Sequence, residues 1–93
     1  MTDSKSPCIL YFTGASCPGC AAQDNVMTYL EDSIQQAIQK IDVDENPGMA
    51  EIYGVRSLPT TMILDADGYI QHFNYGVVNT RKLIRQWKSV KKG

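Results

Sequence analysis

Cys8-Ile9-Leu10-Tyr11-Phe12-Thr13-Gly14-Ala15-Ser16-Cys17-Pro18-Gly19-Cys20 decides the fold. Its first six residues are apolar on both alternating faces, as expected of a central strand covered on two sides. Gly14-Ala15-Ser16 turns the chain out, and Pro18 suits the first position of a helix, where its missing N–H is no loss. Ala22, Val26, Leu30 and Ile34 recur every four residues and predict a helix packed on that strand. Cys17 and Cys20 then stand where strand gives way to helix. Two thiols at this spacing can close a small disulfide or begin a metal site.

Downstream, Gln39 to Val43 predicts a second strand, ended by Asp44-Glu45-Asn46-Pro47. Pro47 opens a short helix through Ala50 and Ile52, with Gly54 just past its end. Val55-Arg56-Ser57-Leu58-Pro59-Thr60 follows, and an apolar strand, Thr61 to Leu64, starts directly after it. Asp67-Gly68 is a hairpin turn that returns the chain as Tyr69 to Tyr75, so the last two strands should be antiparallel. Asn79 or Thr80 caps a final helix with Leu83, Ile84, Trp87 and Val90 on one face. The order strand, helix, strand, helix, strand, strand, helix implies an α/β fold with a parallel opening pair and a mixed sheet.

The 93 residues suit one domain spanning 1–93, with an apolar fraction of 43% and a net charge of −1. That charge argues against nucleic acid as a bulk partner. No apolar run approaches the ~20 residues of a membrane span, and Met1 to Pro7 lacks the apolar core of a secretory signal, so the expected setting is cytoplasmic. All ten acidic residues lie at or before Asp67, whereas six of the nine basic ones lie between Arg81 and Lys92. The basic final helix is either a solvated face suited to the helix's negative end or a docking surface for an acidic partner.

Three cysteines without a signal peptide fit a working pair plus a bystander better than a disulfide framework. At a helix entry, unpaired backbone N–H groups and the positive end of the dipole favour the thiolate of Cys17. Cys20, one turn on and more buried, is placed to resolve a mixed disulfide formed by Cys17. A structural zinc site needs four ligands, and only Cys8 and His72 remain to complete one, neither beside the pair. No metal and no cofactor are therefore expected. Cys8 is expected as a small buried hydrophobe, His72 as a surface residue of the hairpin, and Trp87 as a core anchor.

With the C-x-x-C in place, Ile41-Asp42-Val43-Asp44-Glu45-Asn46-Pro47-Gly48 and Tyr53-Gly54-Val55-Arg56-Ser57-Leu58-Pro59-Thr60 make the chain resemble the thioredoxins from about Ile9 to Trp87. The resemblance implies the thioredoxin fold and dithiol–disulfide oxidoreductase activity on protein disulfides. It also implies a monomer recharged by a thioredoxin reductase. It further implies a cis Leu58–Pro59 bond, with the Leu58 backbone set against the cysteines to pair with an extended substrate, and a Gly76 bordering the substrate groove. Lys40 matches the family's partner lysine; it either assists deprotonation of Cys20 or is an exposed lysine before a strand.

Several positions depart from the family pattern. Ser16 replaces a tryptophan, Pro18-Gly19 inverts the usual order, Tyr11 stands where the family has a buried aspartate, and Asn25 replaces a helix-kinking proline. Cys17 comes about fifteen residues earlier than in a typical thioredoxin, so the sheet should have four strands, without the family's first strand and helix. Two alternatives to a protein-disulfide reductant stay open. One is glutaredoxin-like, oxidase or isomerase activity, and the other is a non-enzymatic thioredoxin-fold binding subunit.

Overall fold

A computed structural model of the protein describes residues 6–92. β1 (Cys8–Thr13), α1 (Cys20–Ile34), β2 (Gln39–Asp42), α2 (Pro47–Ile52), β3 (Thr60–Leu64), β4 (Ile70–Tyr75) and α3 (Thr80–Lys92) follow in order. The four strands form one mixed sheet in the order β2-β1-β3-β4. β1 runs parallel to β2, with Tyr11 opposite Lys40 and Phe12 opposite Ile41. It runs antiparallel to β3, with Ile9 opposite Ile63 and Tyr11 opposite Thr61. A strand flanked on both sides in this way must be apolar on both faces, which is why β1 carries almost no polar residue.

The alternation of β1 divides the core in two. Ile9 and Tyr11 pack with Met27, Leu30, Ile63, Leu83 and Trp87 beneath α1 and α3. Leu10 and Phe12 pack with Ile41, Met62 and Leu64 on the opposite face, where Met49 and Tyr53 close over them. Each fully buried Leu, Ile or Met contributes on the order of 1.5–3 kcal/mol relative to exposure. Trp87 is the anchor expected of it, 3% exposed within the first core.

The β3–β4 hairpin closes over Asp65 to Tyr69: the Gly68 N–H donates to the Asp65 carbonyl at 3.0 Å and the Asp65 N–H to the Tyr69 carbonyl at 2.9 Å. Gly68 has φ +89°, which a side-chain-bearing residue rarely adopts. The Asp65 carboxylate accepts from the N–H groups of Asp67 and Tyr69 and from Gln71 Nε2. At the far end of the chain, Asn79 is the residue that caps α3, its Oδ1 accepting from the Lys82 N–H at 2.9 Å.

Three sequence expectations are corrected. Helix α1 begins at Cys20 and not at Pro18. The Cys20 N–H turns back to the Cys17 carbonyl at 3.3 Å, and the first helical bond is from the Gln23 N–H to the Gly19 carbonyl at 3.1 Å. Pro18 therefore belongs to a preceding turn that the Cys17–Cys20 link closes. The buried stripe of α1 is Cys20, Gln23, Met27 and Leu30, while Ala22 faces solvent. A polar Gln23 hid this stripe from a pattern drawn through apolar letters, although its spacing of three, four and three is helical. Cys8 is half-buried against the second core and not fully enclosed, and burial pushes its thiol above the ordinary value. His72 touches the C-terminal helix through Ser89 Oγ at 3.2 Å.

Candidate active site

β1 delivers the chain to the site through Gly14 and Ala15. A Cβ on Gly14 would stand 2.9 Å from Leu58 Cδ1 and 3.1 Å from Val43 Cγ2, so a larger residue would have to displace those side chains. Asp44 holds the next residue, its Oδ2 accepting from the Ala15 N–H at 2.8 Å. The Asp44-Glu45-Asn46 turn thus has a second task beyond ending β2.

Cys17 and Cys20 are joined in a disulfide with their Cα atoms 5.4 Å apart. Cys20 is 7% exposed and Cys17 is the more open of the two. Gly19, at the start of α1, has no side chain to cap the helix, and no acidic residue lies in the first turn. Nothing in that turn competes with a Cys17 thiolate for the positive helix end.

Pro59 packs against this turn. The Leu58–Pro59 peptide bond is cis, and a Cβ on Gly19 would lie 3.2 Å from Pro59 Cδ and 3.0 Å from Val77 Cγ2. The Gly76 N–H donates to the Pro59 carbonyl at 2.8 Å. Cys17, Cys20, Gly19, Pro59 and Gly76, scattered over sixty residues of sequence, therefore share one corner of the molecule, with Leu58 reaching over Gly14 beside them.

The family model for thioredoxin matches residues 1–89. The chain belongs to the thioredoxin family. It is 36% identical over 64 residues to a thioredoxin of Chlorobaculum thiosulfatiphilum; that match takes in 67% of this chain but 59% of the relative. It is 31% identical over 88 residues to a thioredoxin-like protein of Synechocystis sp., covering 92% of this chain and 83% of that one. Among solved structures, malaria parasite thioredoxin-2, described as a component of the parasite's protein secretion machinery, superposes with a TM-score of 0.83 at 27% identity, over 90% of this chain and 82% of that one. A mutant thioredoxin of Halobacterium salinarum gives 0.83 at 30% identity, over 94% and 76%.

Tyr11 is buried, and its hydroxyl lies 2.7 Å from Asp24 Oδ1 and 3.2 Å from the Cys20 carbonyl oxygen. Burial first, then the hydrogen bond and charge of Asp24, push the Tyr11 hydroxyl well above its ordinary value, so it stays a donor. Lys40, on the neighbouring strand, pairs with Asp24 at 3.3 Å and places its Nζ 5.9 Å from the centre of the Tyr11 ring. Lys40 is thus an exposed lysine, 57% open to solvent, that is ion-paired beside the tyrosine. Asn25 sits on the exposed side of α1, which runs unbroken for 15 residues.

Three further residues shape this corner without a local sequence motif of their own. Gln23 is fully buried and pairs with both backbone groups of Val78: its Oε1 accepts from the Val78 N–H at 2.8 Å and its Nε2 donates to the Val78 carbonyl at 3.2 Å. Val77, 55% exposed, lines the rim between Gly19 and the Gly76 turn. Asp24 completes the Tyr11 and Lys40 contacts. For Gln23 the signal was its place in the helical stripe. For Asp24 and Val77 the signal exists only once strands and loops are folded together.

No helix among the described residues is long and apolar enough to cross a membrane. Among the same residues no group of three or more His, Cys, Asp or Glu is placed to hold a metal ion.

Proposed function

We propose that the protein is a thiol–disulfide oxidoreductase that reduces protein disulfides. The observation that carries this is the Cys17–Cys20 disulfide at the uncapped positive end of α1, with Pro59 packed against its turn. In the reduced state, the Cys17 thiolate attacks one sulfur of a substrate disulfide. A mixed disulfide forms and one substrate sulfur leaves as thiolate. Cys20, once deprotonated, attacks Cys17 and regenerates the internal disulfide, releasing the second substrate thiolate. The substrate gains two electrons and the protein's dithiol loses them.

The Leu58 backbone, Pro59 and Gly76 form the wall against which an extended substrate segment lies, and Lys40 acts in support of the proton transfers. Electrons return to the pair from a thioredoxin reductase in a reducing cytoplasm. The odd cysteine count and the family membership support that assignment. Insulin-disulfide reduction driven by dithiothreitol tests the reading. Wild-type protein should accelerate it, and Cys17→Ser should fall to the rate of the chemical reductant alone. Full activity in Cys17→Ser would contradict the mechanism.

A further inference from the structure

Resolution of the mixed disulfide needs a base. Cys20 is nearly enclosed, and a thiol in such a place resists ionisation, because burial disfavours the charged form. On β1, the neutral Tyr11 hydroxyl beside Cys20 donates its hydrogen bonds and is no base in the neutral range. The chain nevertheless supplies a carboxylate nearby, from a different element.

Asp24 lies four residues beyond Cys20, on the same side of α1 and one turn further on. Side chains so spaced have Cβ atoms roughly 6 Å apart, a span that one water molecule bridges. The Tyr11 hydroxyl reaches from β1 to Asp24 Oδ1 at 2.7 Å and to the Cys20 carbonyl oxygen at 3.2 Å. It thereby spans the carboxylate and the Cys20 backbone, one helical turn apart. Lys40, opposite Tyr11 in the β1–β2 register, closes the other side at 3.3 Å from the same oxygen. These groups line an open cleft of about 200 Å³ that Glu31 also borders. Glu31 is engaged elsewhere, its Oε2 accepting from the Ile38 N–H at 2.8 Å. Asp24 is therefore the carboxylate fixed in place by three elements at once, from β1, β2 and its own helix.

We propose that Asp24 is the proton acceptor for Cys20, with Tyr11 and Lys40 as its positioning residues. This rests on the disulfide-reductase reading above. In the step, the Cys20 S–H bond breaks and its proton passes through water to the Asp24 carboxylate. The Cys20 thiolate attacks Cys17 Sγ, the Cys17–Cys20 bond forms, and the bond from Cys17 to the substrate breaks. The departing substrate thiolate then takes a proton from solvent, to which Asp24 returns its own. Lys40 steadies the carboxylate while it is charged, and Tyr11 fixes which way the carboxylate faces.

The test uses the reduced protein labelled with carbon-13 at cysteine Cβ and aspartate Cγ, alongside rapid-quench measurement of substrate-thiol release from the mixed disulfide. In wild type, the Cys20 and Asp24 titration curves should each show the inflection of the other, as interacting sites do. Asp24→Asn, which keeps an acceptor for the Tyr11 hydroxyl and so spares the fold, should remove the Asp24 inflection from the Cys20 curve and leave that of the neighbouring Cys17 thiol. It should also slow release at pH 7 by on the order of tenfold to a hundredfold, with the deficit closing as pH rises and solvent removes the proton unaided. Asp24→Glu should recover most of the rate, and Tyr11→Phe should show a smaller loss of the same form. An Asp24→Asn protein whose Cys20 titration and release profile match wild type overturns the relay alone. A wild-type protein that reduces no protein disulfide overturns the reductase reading and the relay with it.

Discussion

The two sides of the first turn of α1 are built on different principles. Toward Pro59 and Gly76 the site consists of backbone and small residues: Gly19 leaves room for Pro59 and Val77, the Gly76 amide holds the Pro59 carbonyl, and Gln23 clasps Val78. Toward the edge of the sheet it consists of long side chains arriving from separate elements, Tyr11, Asp24 and Lys40. On the first side close packing and hydrogen bonds to backbone are the constraint, and a changed atom meets a neighbour or strands a backbone group. On the second side charge and hydrogen bonding are the constraint, and a carboxylate can come from helix as well as strand.

The contrast can be broken at Gln23 first. Gln23→Leu would leave the Val78 N–H and carbonyl buried without partners, at a cost of about 2–4 kcal/mol for the two groups together. Urea unfolding of the oxidised protein measures it. A loss below about 0.5 kcal/mol would show that the clasp is not what holds the Gly76–Val78 turn to α1.

A smaller effect is expected at Gly19. Gly19→Ala places a Cβ 3.0 Å from Val77 Cγ2 and 3.2 Å from Pro59 Cδ; Val77 can turn away but the proline ring cannot. The expected cost is about 1 kcal/mol, part of which Val77→Ala should recover in a double-mutant cycle. Complete additivity of the two changes would mean that this rim is looser than its distances indicate.

How much of this was visible in the chain follows the same division. β1, the hairpin and α3 were legible because alternation, Asp67-Gly68 and the Leu83 and Trp87 spacing are local patterns that tertiary contacts reinforce. The cis Leu58–Pro59 bond was legible through the family resemblance. The start of α1 was misplaced because Pro18 fits a first helical turn as well as it fits the turn before one. Asp24 was invisible as a site residue: it is thirteen positions from Tyr11 and sixteen from Lys40. The register that sets Tyr11 against Lys40 becomes known only when the strands are paired.

The smallest effect lies away from both sides, at the hairpin, and serves as the reference. The amide of Tyr69 foremost, with Gln71 and the other turn amides, holds the Asp65 carboxyl below the ordinary carboxylate range. A lowered folded value means that the ionised form stabilises the fold above the unfolded value of about 3.9 and that this is lost as pH falls through the folded value. Asp65→Ala should therefore lower the melting temperature slightly at pH 7 and leave it unchanged near pH 2. A gap that persists at pH 2 would assign the turn's stability to something other than the charge.

The central claim is that Cys17 attacks and Cys20 resolves. Cys20→Ser removes resolution alone, so incubating the reduced variant with insulin and quenching in acid should trap an insulin chain disulfide-linked to Cys17, identified by mass spectrometry. Absence of that adduct, with Cys17 recovered as a free thiol after insulin has been present in excess, would contradict the account.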